Sequence, residues 1–186
     1  MSVIIALKKD KSIYLGADTQ RTCSNIRTIC GRNENWKITA YKNGVLLGGV
    51  GSVRVTNAVR VHNEWFEKIE GELTKEYIVK MIVPQMMLEF FEKGLVDEKR
   101  KNVDASFVIA YKDKAFCITR ELAVYEADGF CIGSGAEFAY PYLYGNSDDI
   151  KQTILTALRG VAKRDITIGA PFILIDSVNL KFEIVE

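Results

Sequence analysis

At 186 residues the chain is long enough for one domain with a sizeable core. Lys and Arg number 25 against 24 Asp and Glu, a balance that supplies no field for nucleic acid or an anionic membrane. Hydrophobic residues reach 48%, which excludes wholesale disorder.

The opening run Met1–Leu7 is too short for a membrane span and lacks the basic start of a secretion signal. Cys23, Cys30, Cys117 and Cys131 form no Cys-x-x-Cys pair and sit in strand-like surroundings, so reduced thiols in a cytoplasmic setting are expected. With one histidine in the chain, no metal site is expected. Linkers, repeats and low-complexity stretches are absent, which predicts a single domain over 1–186.

Val3–Leu7 and Ile13–Ala17 are apolar runs around the charged turn Lys8–Lys11, the pattern of a hairpin of buried strands. Trp36–Tyr41 and Val45–Val50 flank Asn43-Gly44, a strong hairpin signal. Val55, Val59, His62, Phe66 and Ile69 then recur at helical spacing. A second helix is predicted from Thr74 as N-cap to just before Gly94, kinked at Pro84. Strands return at Ala105–Tyr111, Ala115–Thr119 and Leu122–Glu126. A helix over Ser134–Tyr144, interrupted by Pro141, precedes another that begins at Ser147 with Asp148 and Asp149 in its first turn. Phe172–Ile175 and Leu180–Val185 close the chain as strands. Hairpins interrupted by helix pairs predict an α+β fold, arranged as a four-layer αββα sandwich of two antiparallel sheets flanked by helices.

The usual catalytic sets fail. A Ser–His–Asp or Cys–His system would need His62, which lies on the apolar stripe of a predicted helix and reads as a packed, satisfied histidine. Gly133-Ser134-Gly135 lacks the full nucleophile elbow, and Gly48–Ser52 lacks the lysine of a phosphate loop. Gly51-Ser52 entering a helix could bind an anion, a weak signal alone.

The start of the chain offers more. Ser2 is small enough to permit removal of Met1, and would then carry a free α-amino group beside its own hydroxyl. With a reference pKa of about 7.7–8.0, a neutral amine can take the hydroxyl proton, so one residue supplies nucleophile and base.

Five pieces, in order, extend this reading. They are Ser2-Val3-Ile4-Ile5-Ala6, Ile13 through Thr22 (Ile-Tyr-Leu-Gly-Ala-Asp-Thr-Gln-Arg-Thr), Trp36-Lys37-Ile38, Gly48-Gly49-Val50-Gly51-Ser52, and Ile132 through Ala139 followed by Arg164-Asp165 ahead of Gly169. In this order the chain resembles the proteasome β-subunit superfamily of N-terminal-nucleophile hydrolases, including the bacterial proteasome-like peptidase of the ATP-dependent two-component protease. The resemblance implies Ser2 as nucleophile, Asp18 and Lys37 as the carboxylate–lysine couple beside it, and Gly51 as oxyanion donor. It implies Ser134 and Asp165 as the pair that orients the amine, and Thr22 as the partner of an extended substrate strand. Gly49 and Val53 would wall the substrate pocket. It also implies self-association into stacked rings, an ATP-dependent unfoldase ring as partner, a polypeptide substrate and no cofactor.

Taken singly, each position has a structural reading too. Asp18 and Thr22 could end a strand, Lys37 could be solvated, Gly51 could serve a turn and Ser134 a helix cap. Three departures stand out. The nucleophile is Ser where the family has Thr. Ile168 stands where the family often has Ser, removing a hydrogen-bond partner from the amine. If Met1 stays, Ser2 has no free amine. Ser2 without a long propeptide ahead of it resembles the simpler bacterial peptidase, whereas Arg164-Asp165 looks more like the true proteasome β subunit. Two alternatives therefore accompany the peptidase: a catalytically silent ring-forming subunit, and an amidase of the same fold acting on a small amide.

Overall fold

A computed structural model describes residues 2–23, 26–29, 36–143 and 148–186. In chain order its strands are β1 (Ile4–Lys9), β2 (Ser12–Asp18), β3 (Gln20–Cys23), β4 (Ile26–Ile29), β5 (Ile38–Ala40) and β6 (Leu46–Gly51). Helices α1 (Val53–Arg60), α2 (Asn63–Phe66), α3 (Lys75–Tyr77) and α4 (Val83–Glu92) follow. Next come β7 (Val96–Asp97), β8 (Asn102–Val103), β9 (Ala105–Tyr111), β10 (Lys114–Ile118), β11 (Val124–Glu126) and β12 (Gly129–Ile132). Helices α5 (Ala136–Leu143) and α6 (Ile150–Ala162) lead to β13 (Phe172–Asp176) and β14 (Glu183–Val185).

The fold is α+β, with antiparallel sheets. One five-stranded sheet runs β12-β1-β2-β13-β14 and another runs β11-β10-β9-β6-β5. Both hairpins foreseen in the first third are present: Lys8 pairs with Ile13 across the first turn, and Thr39 pairs with Leu47 around Gly44, whose φ is +94°. The strands read as near-continuous apolar runs because both faces are buried. On β1, Ile4 and Ala6 join a cluster with Leu15, Leu46 and Val108, whereas Ile5, with Val3 just ahead of the strand, joins one with Ile154, Leu158 and Val161 of α6. On β9, Val108 and Ala110 enter the first of these clusters, while Phe107 and Ile109 meet Val59, Ile82 and Phe90. The period of two thus sends alternate side chains to different cores. Close packing is tight enough that a Cβ on Gly16 would come within 2.2 Å of Ile154.

Several boundaries differ from the sequence expectation. The apolar stripe from Val55 to Ile69 is not one helix, since α1 ends at Arg60 and His62 stands in the break before α2 with φ −91° and ψ 68°. The turn preserves the apolar spacing, so periodicity alone cannot register the break. His62 stacks on Trp65 with centroids 3.9 Å apart and contacts Glu64 at 2.7 Å and Glu89 at 3.1 Å. It is a bridge between α2 and α4 and not a helix-core residue.

The predicted helix after Thr74 does start there, and Thr74 Oγ1 accepts the Tyr77 N–H at 3.1 Å. Its middle, Ile78–Ile82, is π-helical, and Pro84 sits in the first turn of α4, where a missing N–H costs least. Gly94, with φ +60°, closes α4. Asp148 and Asp149 lie ahead of α6 and not in its first turn. Asp149 is the N-cap, accepting from Lys151 and Gln152 N–H groups, while Ser147 lies outside the described residues. The strand expected at Leu180–Val185 is confined to Glu183–Val185. Strand β12, on the edge beside β1, and the short ribbons β3–β4 and β7–β8 were not anticipated.

Cys117 and Cys131 are free thiols in β10 and β12, and burial pushes them up to about 11 and about 12 respectively. Cys30 lies outside the described residues. No described helix is long and apolar enough to cross a membrane.

Candidate active site

Ser2, Asp18, Lys37, Gly51 and Ser134, among the residues singled out in the sequence, come from five places in the fold. Ser2 immediately precedes β1, which lies between β2 and β12. Asp18 ends β2 and is completely buried. Its Oδ1 accepts the backbone N–H of Val3 at 3.0 Å, which ties the carboxylate to the residue following Ser2. Lys37, just before β5, is 4% exposed, and its Nζ lies 2.5 Å from Asp18 Oδ1 and donates to the Gln20 carbonyl at 2.8 Å. It is a buried ammonium rather than a solvated strand residue. Burial pushes the Asp18 carboxyl up from the ordinary carboxylate range, against the pull of the Lys37 charge and the Val3 N–H.

On the other side of Ser2, the β12–α5 turn supplies Gly133 and Ser134. The Ser2 N–H donates to Ser134 Oγ at 3.2 Å, and Gly135 N–H donates to the Ser2 carbonyl at 3.2 Å. Gly133 has φ +100°, and a Cβ there would lie 2.2 Å from the Ser2 carbonyl oxygen. No side chain fits at that position without displacing the N-terminal segment.

Gly51 ends β6, opposite Ala105 of β9, with φ +109°. A Cβ at Gly51 would sit 2.3 Å from the Asp104 carbonyl oxygen, so this close backbone approach also requires glycine. Ser2, Gly51 and Ser134 line one cavity of about 500 Å³.

Asp165 is buried, but its Oδ1 accepts from Thr167 N–H at 2.9 Å and Thr167 Oγ1 at 2.6 Å. The carboxylate is thus occupied by its own turn rather than by Ser134. Ile168 packs in the core with Val3 and Val161. Thr22 lies on β3 opposite Arg27 of β4. Gly49 is buried opposite Phe107, where a Cβ would meet Thr56 at 3.1 Å. Val53 opens α1 and is 43% exposed. Neither Gly49 nor Val53 lines the cavity beside Ser2.

Sequence reasoning noted Ser52 only as a weak anion signal and missed Asp104, Ser106 and Arg120 in that cavity. Arg120 Nη2 pairs with Asp104 Oδ1 at 2.9 Å, with both side chains more than half exposed. A signal existed. Asp104 immediately precedes β9 and Arg120 follows β10, and the outer ends of an antiparallel hairpin lie side by side. Thr167 left no comparable signal.

No family model matches the chain, and no curated protein matches it. Solved structures do. The BPH of Thiobacillus denitrificans in complex with epoxomicin superposes with a TM-score of 0.71 at 15% identity, over 94% of this chain and 97% of that one. The Anbu complex of Pseudomonas aeruginosa, solved as a helical assembly, gives a TM-score of 0.76 at 11% identity, over 98% and 86%. HslV of Trypanosoma brucei gives 0.64 at 18% identity, over 94% and 98%. At these identities the likeness concerns the fold, and it extends over nearly the whole chain, as the motif order from Ser2 to Asp165 implies. The chain has the fold of the proteasome β-subunit superfamily.

Proposed function

We propose that the chain is a proteasome-like peptidase subunit whose nucleophile is Ser2, exposed as an N-terminal residue by removal of Met1. The observation that carries this reading is the buried Lys37–Asp18 pair, bonded through Asp18 to the backbone next to Ser2. An ammonium and a carboxylate are taken out of water at considerable cost, and a charged couple beside a hydroxyl is where nucleophile activation needs one.

In the proposed cycle the neutral Ser2 amine accepts the Ser2 Oγ proton while Oγ attacks the scissile carbonyl carbon. Lys37 favours the ionised hydroxyl electrostatically, and Asp18 keeps Lys37 charged. The Gly51 N–H stabilises the tetrahedral oxyanion, a contribution of roughly 3–4 kcal/mol in comparable sites. The C–N bond then breaks, the departing amine takes the proton, and an acyl ester remains on Ser2. Water attacks that ester, giving a proton to the Ser2 α-amine, which passes it to Oγ as the Oγ–C bond breaks and the carboxylic acid is released. Ser134, at 3.2 Å from the Ser2 nitrogen, orients the amine. In this chain Asp165 acts at one remove, by fixing its turn through Thr167. Thr22 would pair with an extended substrate, with Gly49 and Val53 behind it.

The rest of the assignment follows the same reading: a single domain over 1–186 in a four-layer αββα arrangement. The three hydrophobic clusters support that layering, one lying between the sheets and one on each outer face. The subunit would self-associate into stacked rings in the cytoplasm, receive polypeptide from an ATP-dependent unfoldase, and need no cofactor. The Anbu helical assembly supports self-association of this fold. Exposed Met81, Met87, Leu88 and Phe91 supply an apolar surface for it.

The test is hydrolysis of fluorogenic peptides by protein whose Met1 has been removed. Turnover is expected, with an acid limb near the amine's reference pKa of about 7.7–8.0 and inhibition by epoxomicin. Undiminished turnover in Ser2→Ala would overturn the assignment.

A further inference from the structure

The cavity beside Ser2 is polar, and its composition specifies what it receives. Six of its nine lining residues carry hydroxyls or charges: Ser2, Ser52, Asp104, Ser106, Arg120 and Ser134. Such a wall does not suit an apolar side chain, which would leave these groups desolvated without partners. The pocket wall assigned to Gly49 and Val53 lies outside it. A peptide whose acyl half occupies those positions therefore presents the segment beyond the scissile bond to this cavity.

The sign of the preferred charge follows from three observations. Asp104, the one acidic group among the described residues of the wall, is already paired with Arg120 at 2.9 Å. That pair engages one terminal nitrogen of a guanidinium that has five N–H donors in a planar fork, a geometry suited to a second carboxylate. The cavity also meets the start of α1, an eight-residue helix whose N-cap Ser52 makes no side-chain cap and whose first turn has no acidic residue. Its positive end is left uncompensated. A cation would have to compete with Arg120 for Asp104, whereas an anion meets Arg120, the helix start and four serine hydroxyls. Placement is firm, because Ser52 N–H donates to the Asp104 carbonyl at 2.6 Å and Val103 N–H to the Arg120 carbonyl at 3.0 Å. The first of these anchors adjoins Gly51. Fixed distances from the reacting centre are what a specificity contact requires.

We infer that this cavity is a carboxylate-recognising subsite for the leaving-group side of the substrate, with Arg120 as its specificity-determining residue and Asp104 as the residue that positions it. The subsite rests on the peptidase reading above. The carboxylate is either an acidic side chain just after the scissile bond or the free C-terminus of a short peptide.

Internally quenched peptides distinguish these sources. One set carries Asp or Glu, or the matching Asn or Gln, at the first and second positions after the cleaved bond, each with an amidated C-terminus. The other set is neutral in sequence and ends in a free acid or an amide. Using protein freed of Met1, we expect at least a tenfold higher kcat/KM for the acid member of one set, and we expect Arg120→Gln to bring that ratio close to one. Arg120→Lys should retain part of the preference, since it keeps the charge and loses the fork. Equal rates for acid and amide members in both sets, or a preference that survives Arg120→Gln, would overturn the inference.

Failure of the peptidase reading remains distinguishable, because binding is read separately. The Arg120 Nε–H resonance of non-cleaving Ser2→Ala protein is followed by NMR as the acid and amide peptides are added. A selective shift with the acid peptide supports the subsite even where no peptide is cleaved. Equal or absent shifts overturn it even where peptides are cleaved.

Discussion

The Asp18–Lys37 and Asp104–Arg120 pairs are both acid–base couples close to Ser2, yet their surroundings are opposite. The first has side chains 0% and 5% exposed and an N–O separation of 2.5 Å; the second has side chains 67% and 53% exposed at 2.9 Å. Removing one member of the buried pair leaves an uncompensated charge in the core, whereas the exposed pair loses little that water does not replace. One couple therefore belongs to the folded framework around Ser2, and the other is exposed to a ligand.

Breaking the buried couple should have the largest effect. Lys37→Ala is expected to cost about 3–5 kcal/mol, lowering Tm by on the order of 10 °C, along with loss of peptide turnover. The double variant Asp18→Leu with Lys37→Met should recover most of the stability and none of the turnover, which separates burial cost from chemistry. Calorimetry and a peptide assay on the same samples read both.

Gly51→Ala comes next. It places a Cβ 2.3 Å from the Asp104 carbonyl in a backbone with φ +109°, and should destabilise by about 1–3 kcal/mol in denaturant titration. The movement needed to relieve that collision displaces Asp104, so the acid preference at Arg120 should fall with it.

Asp104→Asn sharpens the comparison from the exposed side. Unfolding free energy should change by only about 0–1 kcal/mol, with the preference between acid and amide peptides weakened. A loss as large as that of Lys37→Ala would remove the distinction between the two couples.

His62 stands between these extremes, with a side chain 25% exposed and Glu89 11% exposed. Burial works against the charged ring, but the contacts with Glu64 and Glu89 outweigh it and hold the imidazole above its ordinary 6.5. A raised folded value means the stabilisation is fully present below about pH 6.5 and is lost as pH rises through the folded pKa. The stability advantage of the native chain over His62→Gln, measured by denaturant midpoint across pH, should shrink in that direction. A pH-independent difference would show that His62 acts through its stack on Trp65 alone.

Much of this architecture was legible in the sequence wherever local chemistry decided it. The Lys8–Lys11 and Asn43-Gly44 turns gave their hairpins, the apolar run Ala105–Tyr111 gave β9 to the residue, and Thr74 and Gly94 marked both ends of the interrupted helix. What escaped depends on tertiary partners. His62 leaves the helix for Glu89 on another element, and Gly129–Ile132 becomes a strand because β1 offers it an edge. In the site, Ser2, Asp18, Lys37, Gly51 and Ser134 could be picked out by type and order. Asp165 was read with Ser134 as orienting the amine, and its Oδ1 accepts from Thr167, a partner the sequence did not point to. Asp104 and Arg120 are sixteen positions apart and carry no motif; only the hairpin register joins them.

The account depends most on the nitrogen of Ser2. Samples with different fractions of Met1 removed can be prepared with a methionine aminopeptidase, each fraction measured by intact mass and each sample assayed for peptide hydrolysis. The rate should be proportional to the fraction with a free Ser2 amine and extrapolate to zero for fully Met1-bearing protein. Equal turnover at every fraction would contradict the N-terminal-nucleophile mechanism.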